Sequence, residues 1–320
     1  MMNKRDSVLS LLDRNKKTEC IPAGFFLHFD QIYHRGQAAV DKHLEYFRYT
    51  GMDFVKIQFE HNFPFRPEKP EDWVQMPLYK KDFYKDPLEV VESLVKRAKK
   101  EALVMMTLYS PYMCARFASK EKITEHIREN PEKAKKGMEM ITESLMIFVK
   151  ECINLGIDGF YHSTQGGESH KFGGSSLFKE CIKPYDLILM EEINKSCLFN
   201  ILHVCDIHGM YNDLTPFLDY PGHIVNCGLQ LESRKLTGKE VSNMFNRPYM
   251  GGIERKGKIL SGSKDEIEYM VEEVLDSAPE KFILGADCTL PSDVNWDNIK
   301  IAISTAHEYK KKISQRRCGK

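Results

Sequence analysis

The sequence predicts an α/β chain folded as a (β/α)8 TIM barrel, on three observations. There are eight short apolar runs, amphipathic stretches of helix length between them, and polar side chains gathered at the C-terminal ends of the runs. The runs cover residues 21–29, 53–60, 102–110, 158–164, 199–205, 223–229, 248–254 and 281–288, and each is rich in aliphatic and aromatic residues. Between them, residues 86–101, 131–156, 176–196 and 263–278 carry apolar residues at three- and four-residue spacing, after Asp, Ser or Pro and before Gly or Asn, as helix caps require. Eight such units in 320 residues favour a closed barrel over an open sheet, since about 250 residues is typical of that fold and insertions are common. The whole chain, 1–320, therefore reads as one barrel domain with a short N-terminal helical extension. The long connections near 61–86, 111–135 and 165–177 read as inserted active-site loops, the last a Gly- and Ser-rich lid or backbone-lined pocket.

Composition narrows the partners. Acidic and basic residues balance at 46 each, so no global attraction for nucleic acid or an anionic membrane is expected. No window reaches the roughly 18 apolar residues of a membrane span, and the N-terminal stretch has no signal-peptide core, which leads to the expectation of a cytoplasmic protein. The nine cysteines then read mostly as reduced thiols, with burial the plain explanation for those in expected helices, Cys152, Cys181 and Cys197.

In a barrel of this kind chemistry belongs at the C-terminal strand ends. Strand one ends in His28 and Asp30, strand two in Glu60 and His61, strand three in Tyr109, and strand four in His162 and Gln165. Strand five ends in His203, Cys205 and Asp206, strand six in Cys227, strand seven in Glu254, and strand eight in Asp287 and Cys288. Residues two apart in a strand share a side, so His203 and Cys205 project together toward the barrel mouth, where Cys288 joins them from the strand that closes the barrel. One imidazole and two thiolates suit Zn2+, with a fourth position left for substrate. The alternative is a hydrogen-bonded core histidine with two small buried thiols. Asp206 would orient His203 or bond a substrate, His208 reads as loop, and Glu60, His61, Tyr109, His162 and Glu254 are expected to form the substrate pocket, with His28, Asp30 and Gln165 at its rim.

The segments "ILHVC" and "GADCTLPSDVNWDNIKIAI" resemble the uroporphyrinogen decarboxylase superfamily, and within it the zinc-dependent branch of corrinoid methyltransferases. The resemblance rests on His-x-Cys in His203–Cys205 and on Cys288-Thr289-Leu290-Pro291, and covers the chain from about residue 5 to 315. It implies the uroporphyrinogen decarboxylase-like barrel and a zinc ion held by His203, Cys205 and Cys288. Cys227, where related enzymes place a glutamate, is either a substitute ligand or a buried thiol. It also implies methyl transfer between a corrinoid and a small-molecule donor or acceptor, a thiol, ether or amine. No D-x-H-x-x-G cobalamin signature is present, so the corrinoid would be free or carried by a separate corrinoid protein. True decarboxylases carry an Arg-rich motif after strand one and an Asp after strand two. Here those places read "HFDQIYHRGQ" and "FEHNFPF", without the clustered cations so anionic a substrate needs. A metal-free decarboxylase-like lyase and a non-catalytic barrel binding a corrinoid protein or small ligand are the competing readings.

Overall fold

Seven parallel strands lie in chain order in one sheet: β1 (Phe54–Ile57), β2 (Leu103–Tyr109), β3 (Gly159–Thr164), β4 (Ile201–Val204), β5 (Ile224–Cys227), β6 (Tyr249–Ile253) and β7 (Phe282–Ala286). The computed structural model describes residues 3–318 apart from 14, 17 and 19, and side chains as far as residue 314. The run at 21–29, expected as the first strand, occupies the eighth position without forming a regular ladder. On one side Gly24 donates to Leu284 of β7, Leu284 donates to Pro22, and Leu290 donates to Phe26. On the other, Asp53, just before β1, donates to the Ala23 carbonyl, and beyond it side chains replace the ladder: the Asp53 carboxylate accepts from Ala23 N–H and the Gln58 amide oxygen from Phe29 N–H. Pro22 has no N–H to offer a neighbour, which helps keep the pairing to an isolated bridge. The barrel is thus closed, with side chains filling in where main-chain pairing stops.

The helices are α1 (Lys4–Leu9), α2 (Gly36–Thr50), α3 (Lys85–Ala98), α4 (Pro111–Ala118), α5 (Ile123–Glu129), α6 (Pro131–Asn154), α7 (Ser176–Cys181), α8 (Lys183–Ser196), α9 (Gly238–Phe245), α10 (Lys264–Ser277) and α11 (Trp296–Cys318). The single helix expected over 176–196 is broken at Ile182 (φ −123°, ψ −62°), because Pro184 in the first turn of α8 cannot donate back to the preceding turn. The connection at 111–135 is not an irregular loop: Ser110 caps α4 by accepting from Met113 N–H, Pro111 starts it, and α5 follows. Residues 61–86 contain two 3-10 turns, and Trp73 there is fully buried against α6 at Gly137, where a Cβ would meet its indole. Buried Glu168 accepts from Gly166 N–H and from Lys171 Nζ at 2.8 Å. No helix among the described residues is long and apolar enough to cross a membrane.

Register decides which side chains enter the barrel. Tyr109, Ser163, His203 and Asn226 stand side by side across β2 to β5, and so do Leu108, His162 and Leu202, one residue out of phase. The first row faces the interior and the second the helix layer. Thr164 belongs to the outer set and donates to Asp186 Oδ2 of α8, which also accepts from Tyr220 at 3.1 Å. Asp186 has no solvent contact, Oδ1 has no partner, and burial pushes its pKa up to about 7 from 3.8. A raised folded pKa means that the contribution to stability is complete below 3.8 and lost as pH rises through 7. Asp186→Asn should therefore gain on the wild type between pH 4 and pH 8, by at most about 4 kcal/mol. Urea midpoints that shift in parallel for both proteins across that range would refute this.

Candidate metal centre

β4 brings His203 to the barrel mouth, and the chain carries Cys205 one residue past its end on the same side; Cys288 arrives two residues past β7. All three are buried, and their donor atoms lie within 4.8 Å of one another. His203 Nε2 is 3.4 Å from Cys288 Sγ, and the two sulfurs are 3.8 Å apart. The supports are specific. Tyr161 stacks on the His203 ring at 5.0 Å, Gln165 Nε2 donates to Cys205 Sγ at 3.2 Å, and Tyr211 OH donates to the Cys205 carbonyl. Tyr161 is in turn held by Asn226 (2.6 Å), whose amide donates to the carbonyls of Met250 and Ala286, so strands β3, β5, β6 and β7 share one polar floor.

The Cys205 thiol sits well below the usual thiol range, chiefly because the Cys288 S–H donates to its sulfur and secondarily through His203, against the cost of burial. The buried pair gives up one proton readily and holds the second at Cys288. His203 Nδ1 has no hydrogen-bond partner. Two soft sulfurs and an imidazole converging in a buried group form a donor set that fits zinc.

The group opens onto a cavity of about 290 Å³. Of the residues singled out in the sequence, His28, Glu60, Tyr109 and Gln165 line it, and His28 Nδ1 donates to Glu60 Oε1 at 2.6 Å. Others lie elsewhere. His162 is in the outward row, buried with neither ring nitrogen paired. Burial pulls its pKa to about 3. Cys227 stands beside Val204 on the helix-facing side and is not part of the donor group. His61 packs on Phe83 (4.3 Å between centroids) and Tyr84, away from the cavity. Asp30 is exposed. Asp206 does not orient His203: it is bridged with Asp287 by Arg255 Nη1, 2.8 Å from each, beside a second cavity that Glu254 also lines. Among the lining residues not anticipated in this role are three with basic side chains: Lys56, Arg116 and His208. A lysine inside the apolar run "FVKI" was the available signal for the first, since a buried strand rarely carries one.

A closed parallel barrel with a buried His/Cys/Cys group open to a small cavity defines a barrel with an active-site-like mouth. A model of the uroporphyrinogen decarboxylase (URO-D) family matches residues 50–309. The chain belongs to that family. No curated protein matches it by sequence. Among solved structures it resembles a methyltransferase from Methanosarcina mazei, at 12% identity and TM-score 0.74 over 97% of this chain and 99% of that one. It also resembles a putative vitamin-B12 independent methionine synthase from Listeria monocytogenes, at 11% identity and TM-score 0.55 over 93% and 99%. A third is a B12-independent methionine synthase from Shewanella sp. W3-18-1, at 12% identity and TM-score 0.52 over 93% and 97%. At such identities the likeness is one of fold.

Proposed function

We propose that this chain is a zinc-dependent methyltransferase that moves a methyl group between a corrinoid, free or on a partner protein, and a small thiol, ether or amine. The observation that carries the reading is the convergence of His203, Cys205 and Cys288 on the wall of one cavity. Likeness over nearly the full length to a methyltransferase supports it. A zinc ion in this group would hold a substrate thiol as its thiolate, nucleophilic at neutral pH.

The remaining work falls to side chains present. Glu60 fixes one nitrogen of His28, leaving the other to take the proton that an incoming thiol must lose, or to return it to a leaving group. Gln165 holds the Cys205 sulfur in place. Tyr109, whose phenol burial keeps protonated, closes a wall and excludes water.

Zinc-loaded protein is expected to demethylate methylcobalamin in the presence of a small thiol, followed by the change in corrinoid absorbance. Glu60→Gln should slow it by about 100-fold, the usual lower range for losing acid–base assistance. Absence of transfer in either direction across thiols, ethers and amines would remove the proposal. Turnover that survives chelation would favour the metal-free lyase.

A further inference from the structure

Two buried cations, Arg116 and Lys56, line the cavity. Arg116 of α4 is only 3% exposed, yet its Nε and Nη1 have no hydrogen-bond partner. The nearest carboxylate, Glu121, lies 3.4 Å from Nη1 as an ion pair, is itself 63% exposed, and leaves most of the guanidinium's donors unused. Lys56 of β1 is 8% exposed and makes no salt bridge among the described residues; its ammonium sits over the rings of Phe26 (4.8 Å) and Tyr161 (5.3 Å). Among the described residues the only carboxylate lining this cavity is Glu60, already engaged with His28.

A buried guanidinium with unmet donors is costly unless something arrives to meet them. Arg116 and Lys56 come from different elements, α4 and β1, and line the same small volume as the sulfur donors. We propose that they form an oxyanion subsite, so that the small molecule entering this cavity carries a carboxylate-type group in addition to the atom that meets Cys205 and Cys288. This rests on the reading of the cavity as a substrate site. It adds a charge requirement that composition, with its balanced totals, conceals. The planar fork of Arg116 suits a bidentate oxyanion, while Lys56 supplies a point charge stabilised by aromatic faces.

The test compares 3-mercaptopropionate with 3-mercapto-1-propanol, equal in chain length and thiol and different in the charged end, by calorimetry on the full chain as purified. The acid is expected to bind at least about tenfold more tightly than the alcohol, the range of a charge-assisted pair. Arg116→Gln should cut that preference to below about threefold, Arg116→Lys should retain part of it, and Lys56→Met should reduce it. Thermal melts check folding, and Lys56→Met carries the test if Arg116→Gln does not fold. Equal affinities for acid and alcohol, no binding of the acid, or a preference untouched by both variants overturns the inference. Acid preference without methyl transfer would retire the methyltransferase reading and keep the subsite, whereas transfer to both thiols at equal affinity would retire the subsite alone.

Discussion

The wild type is expected to hold about one zinc per chain, and serine in place of Cys205 or Cys288 to strip it. The physical reason is the donor atom. A serine hydroxyl stays protonated and hard where a thiolate is anionic and soft, and zinc would draw most of its affinity here from the two sulfurs. The loss should exceed the ~10–100-fold that follows removal of an outer-shell partner. Elemental analysis after dialysis against a weak chelator reads it, and occupancy below about a tenth in each variant is the expected result. Folding should survive, because both thiols lie beyond the ends of their strands and serine is nearly isosteric. Cys227→Ser is the internal control: its side chain shares the helix-facing row with Val204, so zinc content should not change. Full occupancy in either Cys205→Ser or Cys288→Ser, or a wild type without metal, would refute the ligand set.

How the barrel came to be legible, and the site only partly so, is a matter of register. Parallel strands buried on both faces read as continuous apolar runs, which is why all eight sheet positions could be found. The same continuity hides which residues face inward. His162 and Cys227 each lie one position away from an interior residue, Ser163 and Asn226, and nothing in "DGFYHST" or "HIVNCGL" tells the two faces apart. His203 and Cys205 escaped this ambiguity because their spacing of two puts them on one side whichever side it is. Asp206 looked like a neighbour's helper, but its partner Arg255 lies 49 positions away, a distance only the closed barrel spans. Arg116 was hidden by a helix of eight residues inside a connection read as loop, although its Ser110-Pro111 start was visible.

Asp158→Ala is expected to cost about 3–5 kcal/mol of stability, the range for removing one partner of a buried ion pair. Asp158 lies just before β3, at the end of the barrel opposite the donor group, and its side chain has no solvent exposure. Arg5 of α1 grips it bidentately, Nη1 to Oδ2 and Nη2 to Oδ1, each at 2.7 Å. The same carboxylate accepts from Val104 N–H at the start of β2, and Lys99 Nζ stands 3.5 Å away. Alanine would strand a largely buried guanidinium and a buried amide at once. It would also release α1, whose six residues are too few to hold a helix alone. Arg5→Met should cost less, because Lys99 still balances the carboxylate and the methionine stem can cover the same surface. Chemical denaturation measures both, and a loss below about 1 kcal/mol for Asp158→Ala would show that the pair is not doing what its geometry suggests. Zinc content should be the same in both variants as in the wild type under native conditions. In barrels the N-terminal face serves stability and the C-terminal face chemistry, so a change that weakens the fold while leaving the metal untouched would separate the two faces in this chain.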